Sequence, residues 1–233
     1  MSIIRKVLNS LEMRRLYSEL LKSPDTEKRV GEILEITDAD LPPSLLSEGE
    51  RSLPGNPEFV KNGWSRVMLT RYALALRYAE GKKVLDCCSG LGWGAHILCA
   101  RAAMAAGADL NLPALRFAKQ KWRDENFHPV RCNVLHLPFD SGEFDLVACM
   151  ESIEHFTRER GLLLLREIKR VMKRGGRLVG SSYFARSAGE AKQVAAKNPH
   201  HHHIWTRDDF QNTLSELWDE VYIYPNRLFF HAF

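Results

Sequence analysis

Val84-Leu85-Asp86-Cys87-Cys88-Ser89-Gly90-Leu91-Gly92-Trp93-Gly94-Ala95 runs from a short apolar stretch into three closely spaced glycines and on into helix-forming residues. Glycines at such a junction let the backbone turn sharply and let a ligand approach the main chain. The start of the following helix offers unpaired N–H groups to an anionic group such as a carboxylate. The stretch therefore reads as a strand over Lys83 to Cys87, a ligand-binding turn, and a helix over Ala95 to Ala103. By spacing alone, Gly90-x-Gly92-x-x-Ala95 also fits the dinucleotide fingerprint, so the turn by itself leaves the ligand open.

Outward from this turn, strands and helices alternate. Met104 to Ala108 reads as an alanine-rich strand, Pro113 to Trp122 as a helix opened by proline, and Pro129 to Cys132 as a brief strand. Phe144 to Cys149 is a buried strand. Arg158 to Lys173 is an amphipathic helix with Thr157 as N-cap and Gly175-Gly176 closing it, and Arg177 to Tyr183 is a fifth strand. Such alternation implies right-handed crossovers and a mostly parallel sheet. After a helix near Arg207 to Leu217, Glu220 to Tyr224 and Arg227 to Phe233 are separated only by Pro225-Asn226, a connection that joins antiparallel neighbours. The expected fold class is α/β: a Rossmann-like, doubly wound sheet in three α/β/α layers, mostly parallel, with a C-terminal antiparallel hairpin.

Before the first strand, residues 1 to about 35 read as helical, Ser47 to Asn62 as loop, and Trp64 to Ala79 as a second helix stopped by Gly81. Residues 1–80 are expected to cap the domain formed by 81–233, with Arg71 and Tyr72 part of a lid. Ile4, Leu8, Leu11, Leu20 and Leu21 fall near one helical face, which suits packing on the domain or on a partner; the basic flank also suits a peripheral membrane contact. Arg5, Lys6, Arg14 and Arg15 interrupt any signal-peptide core, and no apolar run is long enough to span a bilayer.

The chain has 233 residues, 45% hydrophobic and 27% charged, which suits one α/β domain. Its formal net charge of +4 is too small and scattered to point to nucleic acid. Five cysteines without a C-x-x-C pair read as reduced thiols, and the expected compartment is cytoplasmic. The sequence assigns no oligomeric state.

A second acid stands roughly 20 residues after the glycines, Asp109 in Gly107-Ala108-Asp109-Leu110, where a carboxylate can accept from both hydroxyls of a ribose. Together with Leu137-Pro138-Phe139, Phe144-Asp145-Leu146-Val147, Met150-Glu151-Ser152-Ile153-Glu154-His155 and Lys173-Arg174-Gly175-Gly176-Arg177-Leu178, these segments stand in fixed order across residues 83 to 183. In that order and spacing the chain resembles the class I S-adenosylmethionine-dependent methyltransferases. The Glu-x-x-Glu-His segment looks most like bacterial small-molecule O-methyltransferases, including ubiquinone-pathway and glycan-modifying types. Arg51 to Gly55, Arg71-Tyr72, Asn198-Pro199 and His203 are similar to the glycan-associated group.

The resemblance implies S-adenosyl-L-methionine as cofactor. It implies Asp86, Cys88, Ser89, Gly90 and Gly92 at the methionine end, Asp109 on the ribose, and Leu110 packed on the adenine. It also puts the Asn133-Val134 turn at the adenine amino group and Met150 in the pocket lining. The family usually has glycine where Cys88 stands and often aspartate where Asn133 stands; an asparagine still accepts a hydrogen bond through its amide oxygen, and binding is expected to be retained.

Transfer needs an acceptor aligned with the methyl carbon, water excluded, and a base if the acceptor is a hydroxyl. Glu151, Glu154 and His155 lie in the loop where that base is expected. Histidine titrates nearest neutrality, and Glu151, four residues before His155, would orient the ring across one helical face. The acceptor class is a sugar, a quinone precursor or a lipid-linked intermediate. For His200 to His203 a solvated loop or a place in the acceptor pocket is expected. Four consecutive imidazoles cannot all reach one ion, no cysteine or carboxylate at ligand spacing accompanies them, and no metal site is expected. Two rivals are a nicotinamide-dependent oxidoreductase, which would need a substrate domain, and a catalytically idle methyltransferase-like binding subunit.

Overall fold

The computed structural model describes residues 11–46, 53–224 and 229–233. Its centre is a sheet of order β3-β2-β1-β4-β5-β7-β6, formed by β1 (Lys83–Cys87), β2 (Met104–Asp109), β3 (Phe127–Arg131), β4 (Phe144–Met150), β5 (Met172–Ser181), β6 (Val221–Ile223) and β7 (Phe229–Ala232). The first five are parallel, and β7 runs antiparallel to both β5 and β6. The doubly wound sheet with an antiparallel C-terminal pair is thus as the sequence reads. Its Pro225-Asn226 connection lies outside the described residues.

The strand sequences explain their places. Val84, Leu85, Leu146, Val147 and Ala148 are fully buried, as central parallel strands covered on both faces require. In β2 the alanines have little strand preference of their own, but Lys83↔Met104 through Cys87↔Ala108 pairing holds them in register. Pro129, which cannot donate to a ladder, sits in β3 at the edge of the sheet.

Around the sheet stand α1 (Leu11–Leu20), α2 (Pro24–Leu34), α3 (Pro43–Leu46), α4 (Pro57–Asn62), α5 (Trp64–Leu76), α6 (Trp93–Leu98), α7 (Leu112–Lys121), α8 (Arg158–Val171), α9 (Ala188–Ala195) and α10 (Arg207–Ser215). From Val67 to Leu76 α5 is buried without interruption, which marks it as an internal helix rather than an amphipathic one.

Several expected boundaries move. The N-terminal helix breaks in two because Pro24 stands at the start of α2. Its packed stripe is Met13, Leu16 and Leu20, whereas Leu11 is 85% exposed; Ile4 and Leu8 lie outside the described residues. Helix α6 starts at Trp93 and stops at Leu98, since Asn126 donates through Nδ2 to the carbonyls of Cys99 (3.1 Å) and Ala102 (2.8 Å). Gly175 and Gly176 do not close α8, which ends at Val171. They lie in a bulge of β5 instead, between the pairs Phe144↔Met172 and Leu146↔Arg177, with Gly175 at φ 74°.

The N-terminal helices are tied to the sheet layer by more than apolar contact. The His96 ring stacks on Trp122 at 4.3 Å, with Asp124 at its Nδ1 (2.6 Å) and Glu32 of α2 at its Nε2 (3.1 Å). Arg29 of α2 reaches both Asp124 and the His96 carbonyl.

Candidate active site

Strand order reverses between β1 and β4, so the crevice beyond their C-terminal ends is the place where an open α/β sheet binds a ligand. The glycine turn fills one side of it. Ser89 donates its N–H to Ala108 (3.0 Å) and Gly92 donates to Ser89 (2.9 Å), which folds the turn back over β2. Because α6 has only six residues, the turn's own amides and Asp109 shape the cradle more than the helix terminus does.

The three glycines act differently. A Cβ on Gly90, at φ 52°, would meet nothing within 4 Å, so this residue faces the open cradle. A Cβ on Gly92 would come within 2.7 Å of Ala118, and one on Gly94 within 1.9 Å of Tyr72 Cζ, so these two are packing glycines. Gly94→Ala should therefore displace Tyr72 and destabilise the fold by about 2–3 kcal/mol. In a thermal melt that is a fall of roughly 5–10 °C; an unchanged midpoint would show that the ring is not wedged there.

Cys88 stands at φ 63°, the left-handed backbone that glycine would favour, so the turn keeps its conformation at a strain of roughly 1–2 kcal/mol. Its thiol hydrogen-bonds with Cys87, which lowers its pKa, but desolvation and nearby Cys149 and Asp109 outweigh this and hold it above the ordinary range. Among the described residues all five cysteines are free. The buried Oγ of Ser89 has no hydrogen-bond partner, leaving one donor of the turn unused by the protein.

Asp86 lies beneath the turn, fully buried. Burial raises its pKa from 3.8 to about 7; hydrogen bonds from the Tyr72 hydroxyl (3.1 Å) and the Ala95 amide oppose the rise, and the Asp109 charge adds to it. Tyr72 in turn packs edge-on against Trp93 at 4.8 Å. Both Arg71 and Tyr72 are buried in α5 under the site, so they are its floor rather than the lid the sequence suggested.

Asp109 ends β2 and bridges two amides, accepting from Gly90 (2.7 Å) through Oδ2 and from Asn111 (2.8 Å) through Oδ1. The next residue, Leu110, is 64% exposed, an apolar surface beside the ribose-position acid. Asn133 accepts the Leu135 amide at 3.1 Å through Oδ1, which shapes the turn and leaves that oxygen a second lone pair. Val134 and Met150 are buried, Met150 at the C-terminal end of β4.

Glu151 follows at φ 48°, the other non-glycine residue with positive φ among those described. It does not orient His155. Its Oε2 lies 3.1 Å from Arg71 Nη2, and the guanidinium stacks on Trp64 at 4.9 Å. The pair is close but poorly aligned: Nε and Nη2 of Arg71 and Oε1 of Glu151 are buried without a hydrogen-bond partner. An unsaturated cation beside an unsaturated anion suits a zwitterion, whose carboxylate and ammonium would complete both.

Ile153–His155 form a 3-10 turn rather than a helix start. Glu154 is buried, with the Ser182 hydroxyl donating to its Oε2 at 3.0 Å; burial first, then the Glu151 charge, push its carboxyl well above the usual range. Nδ1 of His155 lies 3.0 Å from the His200 carbonyl oxygen. A carbonyl only accepts, so Nδ1 carries a proton, and in the neutral ring Nε2 has the lone pair.

A doubly wound sheet of this order, with β7 antiparallel, a glycine turn at its switch point and an acid ending the second strand, has the fold of the class I S-adenosylmethionine-dependent methyltransferases. Residues 85–180 match the family described as a methyltransferase domain. With the fold, that match supports a class I methyltransferase domain over this part of the chain, with S-adenosylmethionine as its cofactor. It is 33% identical over 129 residues to an uncharacterized protein of Methanocaldococcus jannaschii, covering 53% of each chain. It is 32% identical over 117 residues to a fatty-acid O-methyltransferase of Mycolicibacterium smegmatis, covering 46% of this chain and 42% of that one. The chain thus spans about half the length of the curated relatives it matches or less. The crystal structure of an S-adenosylmethionine-dependent methyltransferase from Mesorhizobium loti superposes with a TM-score of 0.56 at 16% identity, covering 70% of this chain and 96% of that one. No helix among the described residues is long and apolar enough to cross a membrane.

The residues that fit the cofactor are the open Gly90, the Ser89 hydroxyl, Asp109 and the Arg71–Glu151 pair. The sequence does not signal the pairing of Arg71 with Glu151, the place of Ser182, or the meeting of His201 with the 153–155 turn. None of these has a local spacing signal.

Proposed function

We propose that this chain transfers a methyl group to a hydroxyl oxygen of a small-molecule, glycan or lipid-linked acceptor. The observation that carries the reading is the His155 ring. It sits in the turn after β4, beside the cofactor crevice, with Nδ1 committed to a carbonyl and a basic Nε2 left over. When bound, S-adenosylmethionine supplies a methyl on a sulfonium, a good leaving group, so the chain's work is alignment, exclusion of water and removal of one proton.

Arg71 and Glu151 hold the amino-acid end of the cofactor, and Asp109 the ribose. Leu110 covers the adenine, and Asn133 with Val134 flanks it. Nε2 of His155 takes the acceptor proton as its oxygen attacks. Glu154, buried in the same turn and held above the usual carboxyl range by burial and the Glu151 charge, receives the Ser182 hydroxyl. The fatty-acid O-methyltransferase relative favours oxygen as the accepting atom and lipid-linked compounds among the acceptor classes.

A labelled-methyl transfer screen against fatty acyl and lipid-linked compounds, glycans and phenols tests this. Label on an acceptor oxygen in one set is the expected result. Label on nitrogen or carbon alone, or cofactor binding without transfer to any set, as an idle binding subunit would give, overturns it.

A further inference from the structure

The side chains of four consecutive histidines, His200 to His203, are not used by the methyl-transfer chemistry above. Backbone bonds clamp them onto the 153–155 turn: His202 and His203 donate their N–H groups to the Glu154 carbonyl at 2.9 and 3.3 Å, and His155 Nδ1 donates to the His200 carbonyl at 3.0 Å. The clamp turns the His201 ring toward His155, edge to face, with centroids 5.3 Å apart. As a result a carboxylate oxygen of Glu154 and one ring nitrogen each of His155 and His201 lie within 4.8 Å of one another.

We infer that Glu154, His155 and His201 form a binding site for a divalent transition-metal ion of the zinc class. Two imidazoles and one carboxylate are a donor set that such ions accept while keeping a further position open. Ligand atoms around a tetrahedral ion lie about 3.4 Å apart, so side-chain shifts of about an ångström close the site.

Three observations support it independently of the distances. Glu154 is 2% exposed, and no lysine or arginine among the described residues forms an ion pair with it. Its neighbour Arg71 is engaged by Glu151. Glu154 and His155 already have the outer contacts that orient metal ligands, a hydroxyl from Ser182 and the His200 carbonyl. The objection that four adjacent imidazoles cannot share an ion does not apply, because only His201 contributes its ring. His200 gives a carbonyl, and His202 and His203 give amides.

The ion's use, though not its binding, rests on the methyl-transfer reading. One lone pair cannot do both jobs: in the metal-free chain Nε2 of His155 takes the acceptor proton, whereas with the ion bound Nε2 is a ligand, the acceptor oxygen takes the open position, and its proton passes to water because the cation lowers its pKa.

The test is metal binding by the full chain after stripping with chelator. Zn2+ alone should bind at one equivalent, and Co2+ in its place should give the intense visible absorption of a low-coordinate site. His201→Ala and Glu154→Gln should weaken Zn2+ binding at least about 100-fold while retaining the thermal shift caused by S-adenosylhomocysteine, which reports an intact fold. His200→Ala/His202→Ala, which removes two exposed rings, should bind as the wild type does. No stoichiometric binding by the wild type, equal binding by His201→Ala, or loss in the His200/His202 double variant overturns the site. Zn2+ binding without any methyl transfer leaves the site standing and counts against the proposed function. Full-rate transfer by metal-free protein leaves the function standing and counts against the ion's use.

Discussion

Replacing His155 with alanine should lower methyl-transfer turnover about 100- to 10,000-fold, the range that general acid–base groups contribute. S-adenosylhomocysteine affinity should stay near that of the wild type. The expectation rests on one nitrogen. Nδ1 is tied to the His200 carbonyl, so in the neutral ring Nε2 alone carries a lone pair, and the ring stands in the turn after β4. The loss follows whether that lone pair takes the proton itself or holds the ion that promotes its release, because both uses end with the same atom. The variant also gives up one bond of the loop clamp, so its melting temperature should be measured alongside the rate. Wild-type turnover in a folded His155→Ala protein would remove this turn from the chemistry.

Asp86→Asn should change how stability depends on pH, by roughly 4 kcal/mol between acid and mildly alkaline solution. The folded carboxyl is raised from 3.8 to about 7, chiefly by burial. Between those values the folded state keeps the proton and the unfolded state does not, so unfolding releases a proton and becomes easier as pH rises. The contribution is full below about pH 4, is lost as pH climbs through about 7, and is flat above. Asparagine carries no charge at any pH and still offers an oxygen to the Tyr72 hydroxyl. Subtracting the variant's urea-denaturation free energies from those of the wild type at pH 4.5 and pH 8 isolates this group from all others. The wild type should lose ground to the variant on going to pH 8; parallel profiles would mean that Asp86 is not held as buried as the structure has it.

Much of the fold was legible because its signals are local. The strand–glycine–helix spacing at Val84 to Ala95, the acid at the end of the next strand, and a two-residue gap between two aromatic-rich segments each constrain their own neighbourhood. What was not legible depends on space. Gly90, Gly92 and Gly94 look alike in sequence, yet one faces open room while the other two are pressed against Ala118 and Tyr72. Helix α6 ends early where a side chain from residue 126 takes the carbonyls of Cys99 and Ala102, just beyond its end. Helix α9 leaves no signal in the sequence, because none of its residues is buried and it has no apolar stripe. Helical spacing pairs Glu151 with His155, but the chain there is a positive-φ residue followed by a 3-10 turn, and its carboxylate reaches Arg71 instead. The His201–Glu154 approach joins residues far apart in the chain through backbone bonds that no spacing rule encodes.

The turn from Val84 to Gly94 as a cradle for S-adenosylmethionine is the claim on which the rest depends. Thermal unfolding with excess S-adenosylhomocysteine or NAD, on wild type and Asp109→Ala, addresses it most directly. S-adenosylhomocysteine should raise the wild-type midpoint and NAD should leave it unchanged. Asp109→Ala, lacking the carboxylate that holds the Gly90 and Asn111 amides, should bind about 30-fold more weakly, the equivalent of about 2 kcal/mol. No shift with S-adenosylhomocysteine, or a shift with NAD in its place, would contradict it.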